Sequence, residues 1–370
     1  MTDVTLQRGL PTRRKIAATA GMFAILALSL PVNWVFFSAR EGSIDDGASF
    51  TEEWLRGGRT AEITALYNER FALKDTGIDL FGSIAYVLFG EGRDGVLIGE
   101  DGWLFTKEDF ETDKHSAERL ARNLMLVTAA RDKLAAQGIR LVTAVVPSKA
   151  GIYGEHLGGY RWPAEPAGRY DRVLQALADA GIPAVDLRPA MTAAKADGPV
   201  FLKTDTHWTP QGAAAAAGAI ASVVGTMADT GEPADFRLVE GPSFEHSGDL
   251  LRYVRLGPLA YWIGPEPDRV VALDAEGEAA GGLLGEAEIP VALVGTSYSA
   301  ESRWGFEAAL KASLKRDVVN LAEMGKGPFE PMAAFLSGDT VKNAPPKVVI
   351  WELPERYLDD AQKVDFGDPS

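Results

Sequence analysis

The sequence predicts an α/β fold in which a mostly parallel sheet is flanked by helices. From about residue 116 onward, short β-branched runs alternate with segments of helical periodicity, as in consecutive β–α units. This alternation implies a mostly parallel sheet that helices cover on both faces. The chain has 370 residues and is 46% hydrophobic, which is enough to bury a full core in one large domain or two small ones.

The first predicted element is a membrane anchor. Four basic residues within positions 8–15 precede an uncharged run at residues 16–39, long enough to cross a hydrocarbon core of about 30 Å. Trp34 lies near its outer end, where an aromatic belt is expected. The basic flank places residues 1–15 in the cytoplasm as a tail, and everything after Arg40 outside. A cleaved signal peptide is the alternative, but it would have a shorter apolar core followed by an A-x-A-like site.

The segments after the anchor are predicted in order along the chain. Residues 40–60 form a polar tether, and residues 61–370 form the extracytoplasmic domain. Apolar positions over 50–91 recur at roughly helical spacing. The stretch GVLIGEDGWLFT, residues 95–106, has two short apolar runs around Glu-Asp-Gly, which predicts a hairpin.

Strands and helices then alternate to the end of the domain. Helices are predicted at 116–137, 170–180, 210–227 and 301–315, and strands at 140–149, 183–190, 290–297, 317–324 and 347–356. Residues 200–208, VFLKTDTHW, are predicted as a strand that runs into a loop. Thr209 and Pro210 provide an N-cap and a first helical residue for the helix that follows. Residues 230–288 are predicted to be less regular.

Charge and cysteine content exclude several classes of function. The net charge of −15 disfavours a nucleic-acid partner, because phosphate binding requires a basic surface. An anionic substrate would need a locally positive groove on this acidic protein. The chain has no cysteine, so it can form no disulfide, thiolate metal site or thiol nucleophile.

The stretch KTDTHWTPQG, residues 203–212, contains an acid and an imidazole two positions apart. If the backbone is extended there, Asp205 and His207 project from the same face with Cα atoms about 6.5–7 Å apart. The carboxylate can then hold one ring nitrogen and leave the other nitrogen free for chemistry. This pair is a candidate general base that requires a nucleophile.

Ser297 is the candidate nucleophile. In VALVGTSYSAESRWGF, residues 291–306, an apolar strand is expected to end at Gly295, which places Ser297 at a strand-to-helix turn. Such turns lie at the carboxyl edge of the sheet, where α/β proteins form their crevices, and the N–H groups of the next helix can stabilise an oxyanion. Serine needs a base, which His207 would supply, while Asp205 would fix its tautomer.

Each of these residues taken alone has a structural alternative. A serine at a strand-to-helix turn is commonly an N-cap, and an Asp-x-His pair is commonly a packing pair. Ser299 is a competing hydroxyl, and Ser297 is preferred because it comes directly off the strand. A metal site on Asp205 and His207 would need a third ligand, and the other histidines occur at no spacing that suggests one, so neither metal nor cofactor is expected. His246 and Asp249 of EHSGDLLRY are weaker candidates to line the cleft.

Four motifs together resemble the alginate O-acetyltransferase AlgJ/AlgX family, an SGNH-hydrolase-like group. They are KTDTHWTPQGA, GTSYS, GVLIGEDGWLF and WELPERYL, and the similarity extends over about residues 60–360. In that family the aspartate and histidine of D-x-H and the first serine of the GTS block form a triad, which the resemblance assigns to Asp205, His207 and Ser297. AlgX-type members add a carbohydrate-binding module after this domain. Only 14 residues follow Arg356 in this sequence, so the chain is expected to be AlgJ-like.

The resemblance implies O-acetylation of an exopolysaccharide outside the cytoplasm, through an acetyl-serine intermediate. It also implies a partner, a membrane-bound O-acyltransferase that passes acetyl groups to this domain. The expected location is the inner membrane, with a single span and the catalytic domain in the periplasm. A triad alone does not separate a transferase from a polysaccharide acetylesterase, and a non-catalytic polysaccharide-binding subunit is a third alternative.

Five further residues are candidates for substrate binding. Tyr298 and Trp208 have rings that can stack on sugars, although such aromatics commonly pack in the core. Arg303 and Arg356 are candidates to face a polymer groove, with a structural ion pair as the alternative for Arg356. Lys149 ends a strand at what should be the same edge of the sheet, which makes it a groove candidate.

Overall fold

The computed structural model describes residues 74–277 and 289–366, together with six positions between 20 and 31. The predicted tail and tether, and most of the predicted anchor at 16–39, lie outside the described residues. No helix within the described part of the chain is both long and apolar enough to cross a bilayer. The described residues form two compact units, a smaller unit (74–98 and 252–265) and a larger unit (99–251 and 266–366).

The helices and strands of the described ranges have the following bounds. The helices are α1 Lys74–Ile84, α2 Ser116–Ala135, α3 Lys149–Ile152, α4 Ala164–Ala167, α5 Arg169–Asp179, α6 Arg188–Ala194, α7 Pro210–Val224, α8 Ala260–Ile263, α9 Ser297–Ala300, α10 Phe306–Leu314, α11 Phe329–Ser337 and α12 Asp339–Asn343. The strands are β1 Val96–Ile98, β2 Leu104–Thr106, β3 Arg140–Val146, β4 Ala184–Asp186, β5 Arg237–His246, β6 Asp268–Glu276, β7 Val291–Val294, β8 Val318–Asn320 and β9 Val348–Pro354.

The larger unit is built on a five-stranded parallel sheet with the order β4-β3-β9-β7-β8. Every residue of β7 and β9 is buried, and so is every residue of β3 after Arg140. Strands covered on both faces need continuous apolar runs, which is why these segments do not alternate with polar residues. The predicted parallel sheet flanked by helices is therefore confirmed.

The core forms where α2, α5 and α11 pack on the sheet. Trp351 of β9 is fully buried beside Phe329, with ring centroids 5.4 Å apart, and its indole N–H donates to the Pro328 carbonyl at 2.9 Å. Leu134 of α2 and Val173 of α5 belong to the same apolar cluster. Each such side chain stabilises the fold by about 1.5–3 kcal/mol relative to an exposed position.

The carboxyl ends of three neighbouring strands place chemistry-bearing residues along one edge of this sheet. Strand β3 leads to Lys149, β7 leads to Ser297, and β9 leads to Arg356. Because β9 lies between β3 and β7, these three chain segments leave the sheet side by side. This edge is the place where a crevice is expected in an open α/β sheet.

An antiparallel ribbon, β5 with β6, occupies part of the segment predicted to be less regular. The two strands pair from Arg237–Glu276 to His246–Asp268, with an irregularity between Glu240 and Ser243. Gly241 and Pro242 at the irregularity interrupt the alternation by which a strand is recognised. The ribbon brings His246 and Asp268 next to each other at its end.

The strands predicted at 183–190, 290–297 and 317–324 are shorter than expected, with three, four and three residues, and the strand predicted at the start of 200–208 does not form. The strand at 183–190 ends at Asp186, and α6 begins at Arg188 with a proline in its first turn. Residues 200–208 form no ladder, and only an isolated bridge joins Phe201 to Trp208. The residues between them form a loop, which we call the Asp–His loop (residues 202–207).

The other predicted helices and strands of the larger unit are present with shifted ends. Helix α7 begins at Pro210, directly after an N-cap at Thr209 whose hydroxyl accepts from the Gly212 N–H at 3.1 Å, as predicted. No helix was predicted where α11 lies. The two apolar runs predicted at 95–106 are strands β1 and β2.

Candidate active site

Ser297 follows β7 after a two-residue turn and is the first residue of α9. The turn requires glycine at position 295, because a Cβ there would lie 2.5 Å from a carboxylate oxygen of Glu352. Thr296 is the N-cap, and its hydroxyl accepts from the N–H of Tyr298 at 3.3 Å. The Ser297 hydroxyl is therefore not needed as an N-cap. The structural alternative to a nucleophile that was considered for Ser297 does not apply.

Ser299, the competing hydroxyl, is used elsewhere. It is buried and donates to Glu352 at 3.0 Å, and Glu352 also accepts from the N–H of Thr296 at 2.7 Å. Burial raises the pKa of Glu352, and the hydrogen bonds from Thr296 and Ser299 oppose that rise. Glu352 of β9 thus fixes the turn before Ser297 and removes Ser299 from consideration as nucleophile.

His207 lies between the serine and the aspartate. Its Nε2 is 2.7 Å from Oγ of Ser297, and its Nδ1 is 2.6 Å from Oδ1 of Asp205. The same Oδ1 accepts the backbone N–H of His207 at 3.0 Å, which makes the Asp-x-His segment an Asx-type turn rather than an extended strand. The predicted pairing of the two residues is present, on the loop into which the strand was expected to run, and the extended backbone considered for their spacing is not adopted.

Asp205 is buried and accepts four hydrogen bonds. Oδ1 binds the ring and backbone of His207, while Oδ2 accepts from Nε2 of His246 at 2.8 Å and from the N–H of Asp249 at 2.9 Å. Burial alone would raise the pKa of Asp205, but the hydrogen bonds from His207 and His246 outweigh it and hold that pKa well below its ordinary value. Asp205 is therefore ionised at neutral pH and stabilises a positive charge on His207.

The second histidine has its tautomer set by an arginine. His246 ends strand β5, and an N–H of Arg303 lies 3.3 Å from its Nδ1. A guanidinium has only donors, so Nδ1 must be the acceptor, and the hydrogen of neutral His246 resides on Nε2, facing Asp205. From the sequence, His246 was predicted only as a weak candidate to line the cleft. Its contact with Asp205 was not predicted, because strand β5 was not recognised.

The Asp–His loop is held in place by Lys149, the first residue of α3, which follows β3. The ammonium group is buried and donates to three backbone carbonyls, those of Leu202 (2.9 Å), Lys203 (3.3 Å) and Asp205 (2.7 Å). Burial lowers the pKa of Lys149 to about 8, against the opposing effect of nearby acids, of which Asp268 is the strongest. Lys149 was predicted as a groove residue, but its burial places it beneath the loop.

Two acidic residues complete the support of this loop. Asp268 of β6 accepts from the N–H of Lys203 at 2.6 Å and from the hydroxyl of Thr204 at 2.6 Å. Asp249 accepts from the N–H and the hydroxyl of Thr206 at 2.9 and 2.8 Å. The loop has no ladder of its own, so these side chains satisfy its backbone groups instead.

Aromatic rings surround His207. Trp304 stacks on it with centroids 5.7 Å apart, and Tyr298 lies tilted at 4.8 Å. The Tyr298 hydroxyl donates to the Thr206 carbonyl at 2.6 Å, and the Trp208 indole donates to the Tyr298 carbonyl at 3.1 Å. These contacts fix the imidazole plane relative to the serine.

The predicted substrate-binding residues fall into two groups. Trp208 and Tyr298 are at most 1% exposed, so neither ring can stack on a sugar in this conformation. Arg356 is also buried and donates to the Tyr298 hydroxyl at 3.2 Å. Arg303 is the exposed member of the set, beside His246 and paired with Glu301 at 2.7 Å.

One group of residues has the composition of a metal site. Asp205, His207 and Asp249 offer ligand atoms within 4.8 Å of one another. Each of these carboxylate oxygens already accepts an N–H or O–H, so the donors compete directly with a cation. The chemistry of the donor set fits a hydrogen-bonded triad better than a metal centre.

The fold and the site together define an SGNH-hydrolase-like α/β protein. Residues 96–355 match the family described as SGNH hydrolase-like domain, acetyltransferase AlgX. The match covers more than half of the chain, and the chain belongs to this family.

Similar proteins agree with this assignment. The chain is 42% identical over 310 residues to the probable alginate O-acetylase AlgJ of Pseudomonas syringae pv. tomato, covering 82% of this chain and 79% of that one. It is 39% identical over 351 residues to the protein of the same name from Azotobacter vinelandii, covering 92% and 88%. The solved O-acetyltransferase domain of Pseudomonas putida AlgJ is 40% identical, with a TM-score of 0.67, and the match covers 75% of this chain and 96% of that domain. The predicted family resemblance is confirmed.

Proposed function

We propose that this chain transfers acetyl groups to hydroxyls of an exopolysaccharide, with Ser297 as nucleophile, His207 as base and Asp205 as its charged partner. The observation that supports this most directly is the 2.7 Å distance between Oγ of Ser297 and Nε2 of His207, with Asp205 on the other ring nitrogen. This is the arrangement that activates a serine hydroxyl at neutral pH. The relatives named as alginate O-acetylases support acetyl as the group transferred.

The reaction has two balanced steps. Oγ of Ser297 attacks the acetyl carbonyl as its proton moves to Nε2 of His207, and that proton then passes to the departing donor group, leaving acetyl-Ser297. In the second step an acceptor hydroxyl gives its proton to His207 and attacks the acetyl carbon. The Ser297 oxygen leaves and regains the proton, and Asp205 stabilises the imidazolium in both steps.

Alginate is the acceptor that we propose. The support is the name of the relatives, alginate O-acetylase, together with Arg303, an exposed arginine close to the triad. A polyuronate carries one carboxylate per sugar, and on this protein of net charge −15 such a carboxylate would bind Arg303 in place of Glu301. The buried candidates Trp208, Tyr298 and Arg356 support the triad in this proposal and do not contact the polymer.

The location and the acetyl donor are further parts of the proposal. The uncharged run at 16–39 and the basic residues before it support a single span in the inner membrane with the larger unit in the periplasm. A membrane-bound O-acyltransferase would then supply acetyl groups at the same membrane.

The test uses the detergent-solubilised full chain with a chromogenic acetyl ester as donor and mannuronate oligosaccharides as acceptors. We expect acetylated oligosaccharide by mass spectrometry, complete loss of product in Ser297→Ala, and full activity in the matched control Ser302→Ala, whose side chain is exposed. Free acetate as the sole product would favour the esterase. Oligosaccharide binding without turnover of any ester would favour a binding subunit, and unchanged turnover in Ser297→Ala would reject the nucleophile.

A further inference from the structure

The smaller unit exposes a run of apolar residues. Residues 257–262, Gly-Pro-Leu-Ala-Tyr-Trp, are all exposed, with Tyr261 at 86% and Trp262 at 78%. We call this run the apolar loop. No charged residue occurs between Leu256 and Pro265. Soluble surfaces rarely leave so continuous an apolar segment in water unless it binds something.

The apolar loop is a built feature with its own support. Leu256, directly before it, is buried, and its carbonyl accepts from the Ser83 hydroxyl at 3.4 Å. Gly257 has φ of 50° and approaches helix α1 so closely that a Cβ would lie 2.2 Å from a carboxylate oxygen of Asp79. Glycine is required there, and it turns the chain so that the residues after it point away from the unit.

Exposed apolar side chains concentrate in this unit. Six of the eleven large hydrophobic residues that are exposed within residues 74–277 and 289–366 belong to it, although it is a small part of those ranges. They are Leu80, Phe81, Val87, Leu259, Tyr261 and Trp262. The concentration indicates an interaction surface in the smaller unit rather than scattered surface residues.

The chemistry of the apolar loop favours lipid over sugar. The rings of Tyr261 and Trp262 stand at 88° to each other, so they do not form a flat platform for stacking on a polysaccharide. The run has no carboxylate, amide or cation with which to orient sugar hydroxyls. Tryptophan, tyrosine and leucine are the residues that partition to the boundary between headgroups and acyl chains.

Helix α1 of the smaller unit is the first described helix after the uncharged run at 16–39, which the proposed function places in the bilayer. We propose that the apolar loop inserts into the bilayer interface beside the N-terminal run, so that the smaller unit rests on the membrane surface. This inference rests on the membrane location in the proposed function, and it adds a second attachment that does not span the bilayer.

The chain has no cysteine, which allows a label at one chosen position. The full chain is reconstituted in phosphatidylcholine vesicles with a polarity-sensitive fluorophore on Ala260→Cys, which keeps every large side chain of the apolar loop. A matched control carries the label on Ala178→Cys, an exposed alanine of α5 in the larger unit. A third protein carries it on Ala27→Cys, within the uncharged run.

We expect the label at 260 to show blue-shifted emission, quenching by doxyl lipid and protection from iodide, at a depth of about 5–10 Å below the headgroups. The label at 178 should remain accessible to iodide. If the label at 27 is in lipid while the label at 260 is in water, the inference is wrong and the membrane anchor stands. If both are in water, the membrane part of the proposed function fails as well.

A second variant distinguishes lipid from protein as the partner that the apolar loop contacts. Tyr261→Ser combined with Trp262→Ser should return the label at 260 to water while acetyl transfer in detergent is unchanged, since neither residue belongs to the triad or its supports. Protection of the label that depends on protein density in the vesicles, without quenching by doxyl lipid, would show contact between two copies and would overturn the proposal.

Discussion

The two halves of the candidate active site are positioned by different means. Ser297 is placed by regular structure, a buried strand followed by a glycine turn and a capped helix. Asp205 and His207 lie on a loop with no ladder, which is held by side chains from the end of β3, both strands of the antiparallel ribbon and the turn at Asp249. The nucleophile depends on regular structure with one distant support, Glu352 of β9, whereas the base depends on several distant contacts.

This difference has a consequence for function. Changes at the supports of the Asp–His loop should reduce catalysis although all three reacting groups remain in place. Misplacement of a catalytic group by about 1 Å is enough to cost about 10²-fold in rate. Substitutions on the two sides of the site therefore test whether the loop needs its long-range contacts as strongly as the geometry indicates.

Among changes to the Asp–His loop and its supports, the largest effect is expected for Asp205→Asn. The neutral amide removes the charge that stabilises protonated His207 and can present an N–H to Nδ1, which favours the wrong tautomer. We expect kcat/KM for a chromogenic acetyl ester to fall about 10⁴-fold with little change in circular dichroism. A loss below tenfold would show that His207 does not depend on this carboxylate.

Lys149→Met tests the distant support of the loop. The substitution leaves three backbone carbonyls without their donor, so we expect kcat to fall about 10²-fold and the free energy of unfolding to fall by about 3 kcal/mol. Both are measured on the same protein, by ester turnover and by denaturant unfolding. The matched control is Lys203→Met, because the Lys203 side chain is exposed and should tolerate the change. Equal effects of the two substitutions would contradict a special role for Lys149.

His246 tests the second oxygen of Asp205. Removing the donor with His246→Leu should lower kcat roughly 10–100-fold with an unchanged KM, since a hydrogen bond to a charged group contributes about 1.5–3 kcal/mol. Glutamine can place an N–H near the position of Nε2, so His246→Gln should recover most of the lost rate. If the two variants are equally impaired, His246 supports packing rather than the orientation of Asp205.

The sequence predicted the nucleophile side of the site well for a physical reason. The apolar run before Gly295 and the glycine, threonine and serine after it form a local pattern, and the parallel sheet follows from several such runs. The pairing of Asp205 with His207 was also local. The loop that joins them was expected, but the strand predicted before it does not form, because short apolar segments such as 200–202 do not reveal whether a partner strand exists.

The remaining parts of the site depend on contacts between residues far apart in the chain. Lys149 was predicted as a groove residue because its position after β3 is evident from sequence, whereas its burial depends on the loop that folds over it. His246 contacts Asp205 only because the ribbon of β5 and β6 forms, and Gly241 and Pro242 obscure that ribbon in the sequence. Long-range polar contacts leave no periodic signal.

The last prediction concerns stability rather than catalysis, at the edge of the sheet. Glu355 follows β9 and accepts the N–H of Ser148, which follows β3, at 2.6 Å. Burial, with a smaller effect of Asp109, raises the pKa of Glu355 from its ordinary value of 4.5 to about 7. The folded protein therefore binds this proton more tightly than the unfolded chain between pH 4.5 and 7.

The sign of the pH dependence follows from that difference. The contribution of Glu355 to the free energy of unfolding is fully present below pH 4.5 and is lost as pH rises through 7, a change of about 3 kcal/mol. Glu355→Gln keeps an acceptor for Ser148 but has no proton to lose, so its unfolding free energy should fall less between pH 5 and 8 than that of the unchanged protein. Denaturant unfolding of both proteins across this range measures the difference. A difference that is the same at every pH would mean that Glu355 is already ionised in the folded state, and that the edge of the sheet tolerates a buried charge as the Asp–His loop does.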